Sequence, residues 1–158
     1  MEFVPSKRNQ ETVTLNKGQQ KAVDNLIDFI ASPFSTSNNV QALCGAGGVG
    51  KTFVMKYVIE HCRYTRSMIV CAAPTHKACR VLANATKMKV DTIQKLFGFR
   101  LDVDIEDFDP NNPAFRPIGA VKFNGETARV LIIDESSMLN RALVNYILAY
   151  CRKQEIKV

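Results

Sequence analysis

An α/β fold built on an open parallel sheet is what this sequence predicts, and three observations predict it. Continuous apolar runs at 40–44, 68–73 and 130–133 have the length and composition of strands buried on both faces. Segments with apolar residues at helical spacing lie between them, so strand and helix alternate as they do in right-handed crossover folds. A glycine-rich turn joins the first run to the helix that follows it. At 158 residues, 46 % hydrophobic and 23 % charged, the chain is one ordinary domain with enough apolar surface for a core. Disordered, collagenous and coiled-coil chains are excluded.

Taken in order, residues 1–14 are polar, broken by Pro5, and read as an N-terminal arm or edge strand preceding a lobe at 15–158. Leu15-Asn16 opens a helix: Asn16 is an N-cap residue type, and Ala22, Val23, Leu26, Ile27 and Ile30 recur on one face. The turn formers of 32–39 stop it. After the 40–44 strand, residues 52–64 form a second helix with Phe53, Val54, Tyr57, Val58 and Ile59 on its apolar faces. Pro74 ends the 68–73 strand, 76–85 is helical, and 92–97 is a short helix. From Gly98 the period changes to two: Leu101, Val103 and Ile105 alternate with Asp102, Asp104 and Glu106 before an Asp109-Pro110-Asn111-Asn112-Pro113 turn. That pattern predicts a small β-hairpin insertion at 98–127. A strand at 130–133, a helix at 140–151 and the start of a strand at 156–158 complete the chain.

Twenty-one Lys and Arg against fifteen Asp and Glu give a net charge of +6. The insertion holds three of the bases and six of the acids, leaving +9 on the remainder. A basic body suits a polyanionic partner such as nucleic acid or nucleotide, and equally a solvated surface. Five cysteines without a Cys-x-x-Cys pair, in mostly apolar or helical contexts, read as buried reduced thiols rather than a zinc site. No apolar run is long enough to span a membrane and no secretory signal is visible, so a cytoplasmic place is expected, on the nucleoid or, for a viral chain, in host cytoplasm.

Gly45-Ala46-Gly47-Gly48-Val49-Gly50-Lys51-Thr52 matches Gly-x-x-x-x-Gly-Lys-Ser/Thr between a strand and a helix. Glycines let successive N–H groups converge on phosphate oxygens, and the helix start adds favourable partial charge. Lys51 would contact the β- and γ-phosphates and the Thr52 hydroxyl would ligate Mg²⁺. At the end of the 130–133 run, Asp134 would hold Mg²⁺ through its water shell and Glu135 would orient or deprotonate the attacking water. The plain alternative for this pair is two solvated acids at the next helix start. Together these features specify a P-loop NTPase fold of RecA-like type, with a parallel sheet, flanking helices and ATP and Mg²⁺ as ligands.

Further segments carry a resemblance. Gln19, in Leu15-Asn16-Lys17-Gly18-Gln19-Gln20-Lys21-Ala22, lies upstream of the P-loop where superfamily 1 helicases carry a glutamine that reads adenine. Ala73-Pro74-Thr75-His76-Lys77-Ala78 is similar to their motif Ia, Thr92-Ile93-Gln94-Lys95-Leu96-Phe97 to motif Ib, and Asp134-Glu135-Ser136-Ser137-Met138 to motif II. In this order the segments resemble the Dda-like and RecD-like helicases of superfamily 1B. The resemblance implies single-stranded DNA contacts from Pro74, Thr75, His76, Lys77, Thr92, Gln94 and Phe97, although Gln94 stands where the family commonly has histidine. Thr75 reads equally as a helix cap and Phe97 equally as core. The resemblance also implies 5′ to 3′ translocation, a monomer, a pin role for the insertion, and a second RecA-like lobe supplying arginines to the site. This chain holds one lobe's worth of residues, so the expectation is the first lobe of a longer helicase, binding ATP weakly and hydrolysing it poorly alone. A stand-alone P-loop binding module and a nucleoside or nucleotide kinase are the alternatives; a kinase leaves Gln19 and the 73–78 segment unexplained.

Overall fold

We describe a computed structural model of the chain over residues 14–101, 115–117, 121, 123 and 127–158. Its α-helices are α1 (Lys17–Ala31), α2 (Lys51–His61), α3 (His76–Thr86), α4 (Ile93–Phe97) and α5 (Arg141–Lys153). Its strands are β1 (Ile69–Ala73), β2 (Val90–Thr92), β3 (Phe99–Leu101), β4 (Phe115–Pro117) and β5 (Val130–Ile133). Strands β2, β1 and β5 form a parallel sheet in that order, with Cys71 opposite Val90 on one side and Ile132 on the other. The α/β class is as the alternation of strand and helix requires.

The continuous apolar runs have a direct structural reason. Along β1 and β5, Ile69, Cys71, Val130 and Ile132 point to one side, where Val23, Leu26, Ile30, Val54, Val58 and Leu82 of α1, α2 and α3 cover them. The alternate residues Ala72 and Leu131 point to the other side, against Ile93, Leu96, Phe97, Leu143, Ile147 and Cys151 of α4 and α5. Both faces of the sheet are therefore closed, and neither strand has room for a polar alternation. Burial pushes the thiols of Cys71 and Cys151 up to about 12, so they stay protonated. Cys79 is buried as expected, whereas Cys62 is half-buried and Cys44 is exposed, because it lies at the open start of the glycine-rich turn.

Three expectations are corrected. Residues 40–44 do not form a ladder strand, and Val40 is 44 % exposed. The segment is extended and paired at one residue: Gln41 N donates to Val158 O and Val158 N donates to Asn39 O, each at 2.9 Å, the bond pair of a parallel bridge. Lys157 in turn bridges Val130 in parallel, so 156–158 lies between β5 and the segment that leads into the glycine-rich turn. Helix α2 ends at His61 rather than near Tyr64, since Cys62 turns extended and Arg63 Nη1 reaches back to donate to Ala31 O at 2.9 Å. Strand β2 was not anticipated; its Val-Asp-Thr sequence gives no apolar run, and its pairing with β1 makes it a strand. Within the insertion, β3 and β4 pair antiparallel with Arg100 opposite Arg116. The remaining hairpin residues, and the arm at 1–13, lie outside the described residues.

At the sheet end away from the strand C-termini, cations close the helix carbonyl ends. Besides Arg63, Arg66 Nη1 donates to Thr86 O at the end of α3. Lys157 is 3 % exposed, and its Nζ donates to Phe29 O, Ser32 O and Ser32 Oγ while lying over the Phe29 ring. Burial, with Arg63 nearby, lowers the Lys157 pKa, and the three acceptors offset that cost. Lys157→Met should therefore leave carbonyls at the α1 terminus unpaired and cost about 2–3 kcal/mol. Chemical denaturation of the two proteins checks this, with the variant midpoint expected to fall.

Candidate functional site

Parallel pairing brings the C-terminal ends of β2, β1 and β5 to one rim. The Ala72–Ile133 register places Asp134 beside Ala73, and Asp134 N donates to Ala72 O at 3.0 Å. The Ala73–Thr92 register sets Pro74 and Ile93 at neighbouring strand ends.

The glycine-rich turn opens directly into α2. Gly48 and Gly50 have φ of 78° and 86°, which L side chains adopt at a cost. A Cβ on Gly50 would in addition stand 2.7 Å from Gln19 Nε2. Helices α1, α3, α4 and α5 begin with side-chain caps from Asn16, Thr75, Thr92 and Asn140. Helix α2 begins at Gly50, which has no side chain to offer. Among the described residues, the N–H groups of 45–53 find no protein acceptor. A run of unpaired donors at a helix start is an anion cradle. Lys51 Nζ folds over the beginning of the turn and donates to Gly45 O at 2.8 Å and Ala46 O at 2.9 Å. An ammonium has three protons, so one remains for an anion in the cradle. Ala46, Gly47 and Val49 are exposed around it, and an added Cβ on Gly47 meets no protein atom within 4 Å.

Thr52 lies half-buried in the first turn of α2, and its hydroxyl has no protein partner among the described residues. Asp134 Oδ1 accepts from Glu135 N at 2.9 Å, which orients the carboxylate. Glu135 itself is exposed with φ of 53°, a strained setting for a residue with a Cβ. Hydroxyl and carboxylate oxygens are the hard donors that Mg²⁺ takes, and such sites draw their remaining ligands from phosphates and water. Thr52 and Asp134 thus fit that ion. Among the described residues no three His, Cys, Asp or Glu converge, so no protein cage competes with this arrangement.

Gln19 is half-buried and tied at both ends of its amide. Its Oε1 accepts from Asn16 N at 3.0 Å, and its Nε2 donates to Val49 O at 3.2 Å across to the glycine-rich turn. Asn16 Oδ1 returns a bond by accepting from Gln19 N at 2.9 Å, completing a capping box. The joint role of Asn16, Gln19 and the Val49 carbonyl was not anticipated from sequence. The Asn-x-x-Gln spacing signals the box, but nothing in the sequence shows that the same amide reaches the turn.

The residues expected at DNA divide into two groups. Thr75 is half-buried and caps α3 by accepting from Ala78 N at 3.1 Å, leaving its own proton to donate. Pro74 is half-buried, and His76 and Lys77 are exposed at the same rim. Thr92 is 8 % exposed and accepts from Lys95 N at 3.2 Å, so it is a buried cap, while Gln94 is half-buried. The base-stacking expectation for Phe97 is corrected. Its ring is fully buried, with the Phe123, Tyr146 and Tyr150 rings set edge to face against it at 5.6 to 6.3 Å and Phe99 stacked on it at 6.1 Å.

A family model described as an AAA domain matches residues 14–158. A comparison with curated proteins finds no match.

Two outcomes follow from this geometry. Phe97→Ala should cost about 3–5 kcal/mol, as a large cavity in a packed core does, read from the denaturation midpoint. Gly50→Ala should both destabilise the turn and displace the Gln19 amide, weakening binding of triphosphate anions in calorimetric titration.

Proposed function

Because the chain belongs to the AAA domain family, a P-loop NTPase family that includes superfamily 1 helicase-like proteins, we propose that it is the nucleotide-gripping lobe of an ATP-driven motor acting on single-stranded DNA. The observation that carries the nucleotide half of this reading is the uncapped start of α2, with unpaired N–H groups over 45–53 and the Lys51 ammonium beside them. The DNA half rests on the resemblance of the 73–78, 92–97 and 134–138 segments, with His76, Lys77 and the Thr75 hydroxyl at the rim that the nucleotide site shares.

The chemistry divides among the chain's own groups. The N–H groups of the turn receive the phosphates of ATP, and Lys51 turns its third proton to them. Bound Mg²⁺, held by Thr52 and Asp134, would neutralise charge on the phosphates. Glu135, exposed beside Asp134, accepts a proton from the water that attacks the γ-phosphorus. The Asp134 carboxylate keeps its orientation through the bond from Glu135 N. Two neighbouring residues thereby carry separate tasks, one binding and one basic. Arginines contributed by a second lobe complete the charge clamp in the motor, so one lobe alone turns over slowly.

Isothermal titration of the 158-residue chain with ATP in Mg²⁺ tests the nucleotide half. Lys51→Ala should weaken binding by about tenfold or more, the loss of a charge-assisted bond. Glu135→Gln should bind ATP as before and release no phosphate above background. For the DNA half, fluorescence anisotropy with a labelled thymidine oligonucleotide should show Lys77→Ala weakening binding and lowering the slope of log K against log salt by about one. An unchanged slope removes Lys77 from the DNA path.

A further inference from the structure

We infer that Asn16 is a positioning residue for base selection: through the Gln19 amide it fixes the order in which an acceptor and a donor meet the nucleobase, favouring 6-amino over 6-oxo purine nucleotides. The inference rests on the nucleotide-site reading above and deepens it.

The amide of Gln19 has no freedom to turn over. Asn16 N–H donates and the Val49 carbonyl accepts, so Oε1 belongs on the Asn16 side and Nε2 on the side of the turn. Flipping the amide would set Oε1 against Val49 O and Nε2 against Asn16 N–H, losing both bonds and creating two like contacts. The Asn16 side chain holds the Gln19 backbone in place through its bond to Gln19 N, so the helix start and the amide are braced as one unit. Gly50 keeps the path clear, since a Cβ there would stand 2.7 Å from Nε2.

Each tethered atom has capacity left. Oε1 has a second lone pair and Nε2 a second proton, so the amide shows a base one acceptor and one donor in fixed order. The 6-amino purine edge offers a donor at N6 beside an acceptor at N7 or N1, which such an amide matches. The 6-oxo purine replaces the donor with O6, which faces Oε1 across N7, and on its other edge it shows the donor N1–H. That second edge has the reversed order and calls for the flipped amide. The tether to Val49 O also joins base recognition to the turn that receives the phosphates.

ATP and inosine triphosphate differ at the 6-position and the N1 proton, so they are the probes. Titration calorimetry on the full 158-residue chain with Mg²⁺ should give a dissociation constant about tenfold lower for ATP. Asn16→Ala should shrink that preference to about twofold by weakening ATP while leaving inosine triphosphate unchanged, and Asn16→Asp, which keeps the cap acceptor, should restore it. A purely structural cap would weaken both ligands alike, and that result overturns the inference. Asn16→Gly, which helix starts tolerate, carries the same test if the alanine variant does not fold. Equal affinities in the unaltered chain overturn this inference alone. Binding of neither triphosphate overturns the nucleotide-site reading and the inference with it.

Discussion

Parallel pairing of β5 with β1, in the register that sets Ala72 opposite Ile133, gives the molecule its polarity. In a parallel sheet every strand ends on the same rim, and every crossover helix starts there. The carboxylates of Asp134 and Glu135, the start of α3 at Thr75 and the start of α4 at Thr92 all reach one edge for that single reason. None of these residues is near another in sequence. A shift of one residue between β1 and β5 would exchange the two packed faces as well as move the carboxylates, so register is held by the whole core rather than by any one bond.

The same polarity separates charge along the sheet. Helix starts supply N–H donors at the rim, and helix ends present carbonyls at the opposite side, where Arg63, Arg66 and Lys157 meet them. Four helices answer their starting donors with a side chain. Helix α2 leaves its donors unanswered, and the chain tolerates that arrangement because the turn is exposed to water. The contrast explains how a basic chain can hold an anion site without burying cations at it: backbone donors carry much of the field, and Lys51 partly satisfies itself on Gly45 and Ala46.

What was legible in the sequence was what short-range physics dictates. The Asn16 cap, the apolar runs of β1 and β5 and the glycine turn into α2 each depend on residues within a few positions of one another. The elements that were misread depend on distant partners. Strand β2 exists through β1, and residues 40–44 lack a ladder because one terminal residue is their partner. Phe97 has the same composition signal as a stacking platform, and its burial is decided by rings from the insertion and from α5. Gln19 was identified by its place before the turn, yet its tether to Val49 spans thirty positions, which no local pattern reveals.

The pairing of Val40 with Val158 bears on the order in which the molecule assembles. A glycine turn followed by a helix looks like a local unit that folds early, but the segment leading into it is held from outside by residues at the far end of the sequence. Closing so long a loop is entropically slow, and its reward comes only when the distant strand arrives. During synthesis the helix and the sheet pair β1–β2 exist well before 156–158 leaves the ribosome. The turn then acquires its anchor among the last events of folding, so a nascent chain carries its phosphate loop for most of its growth without the edge that fixes it.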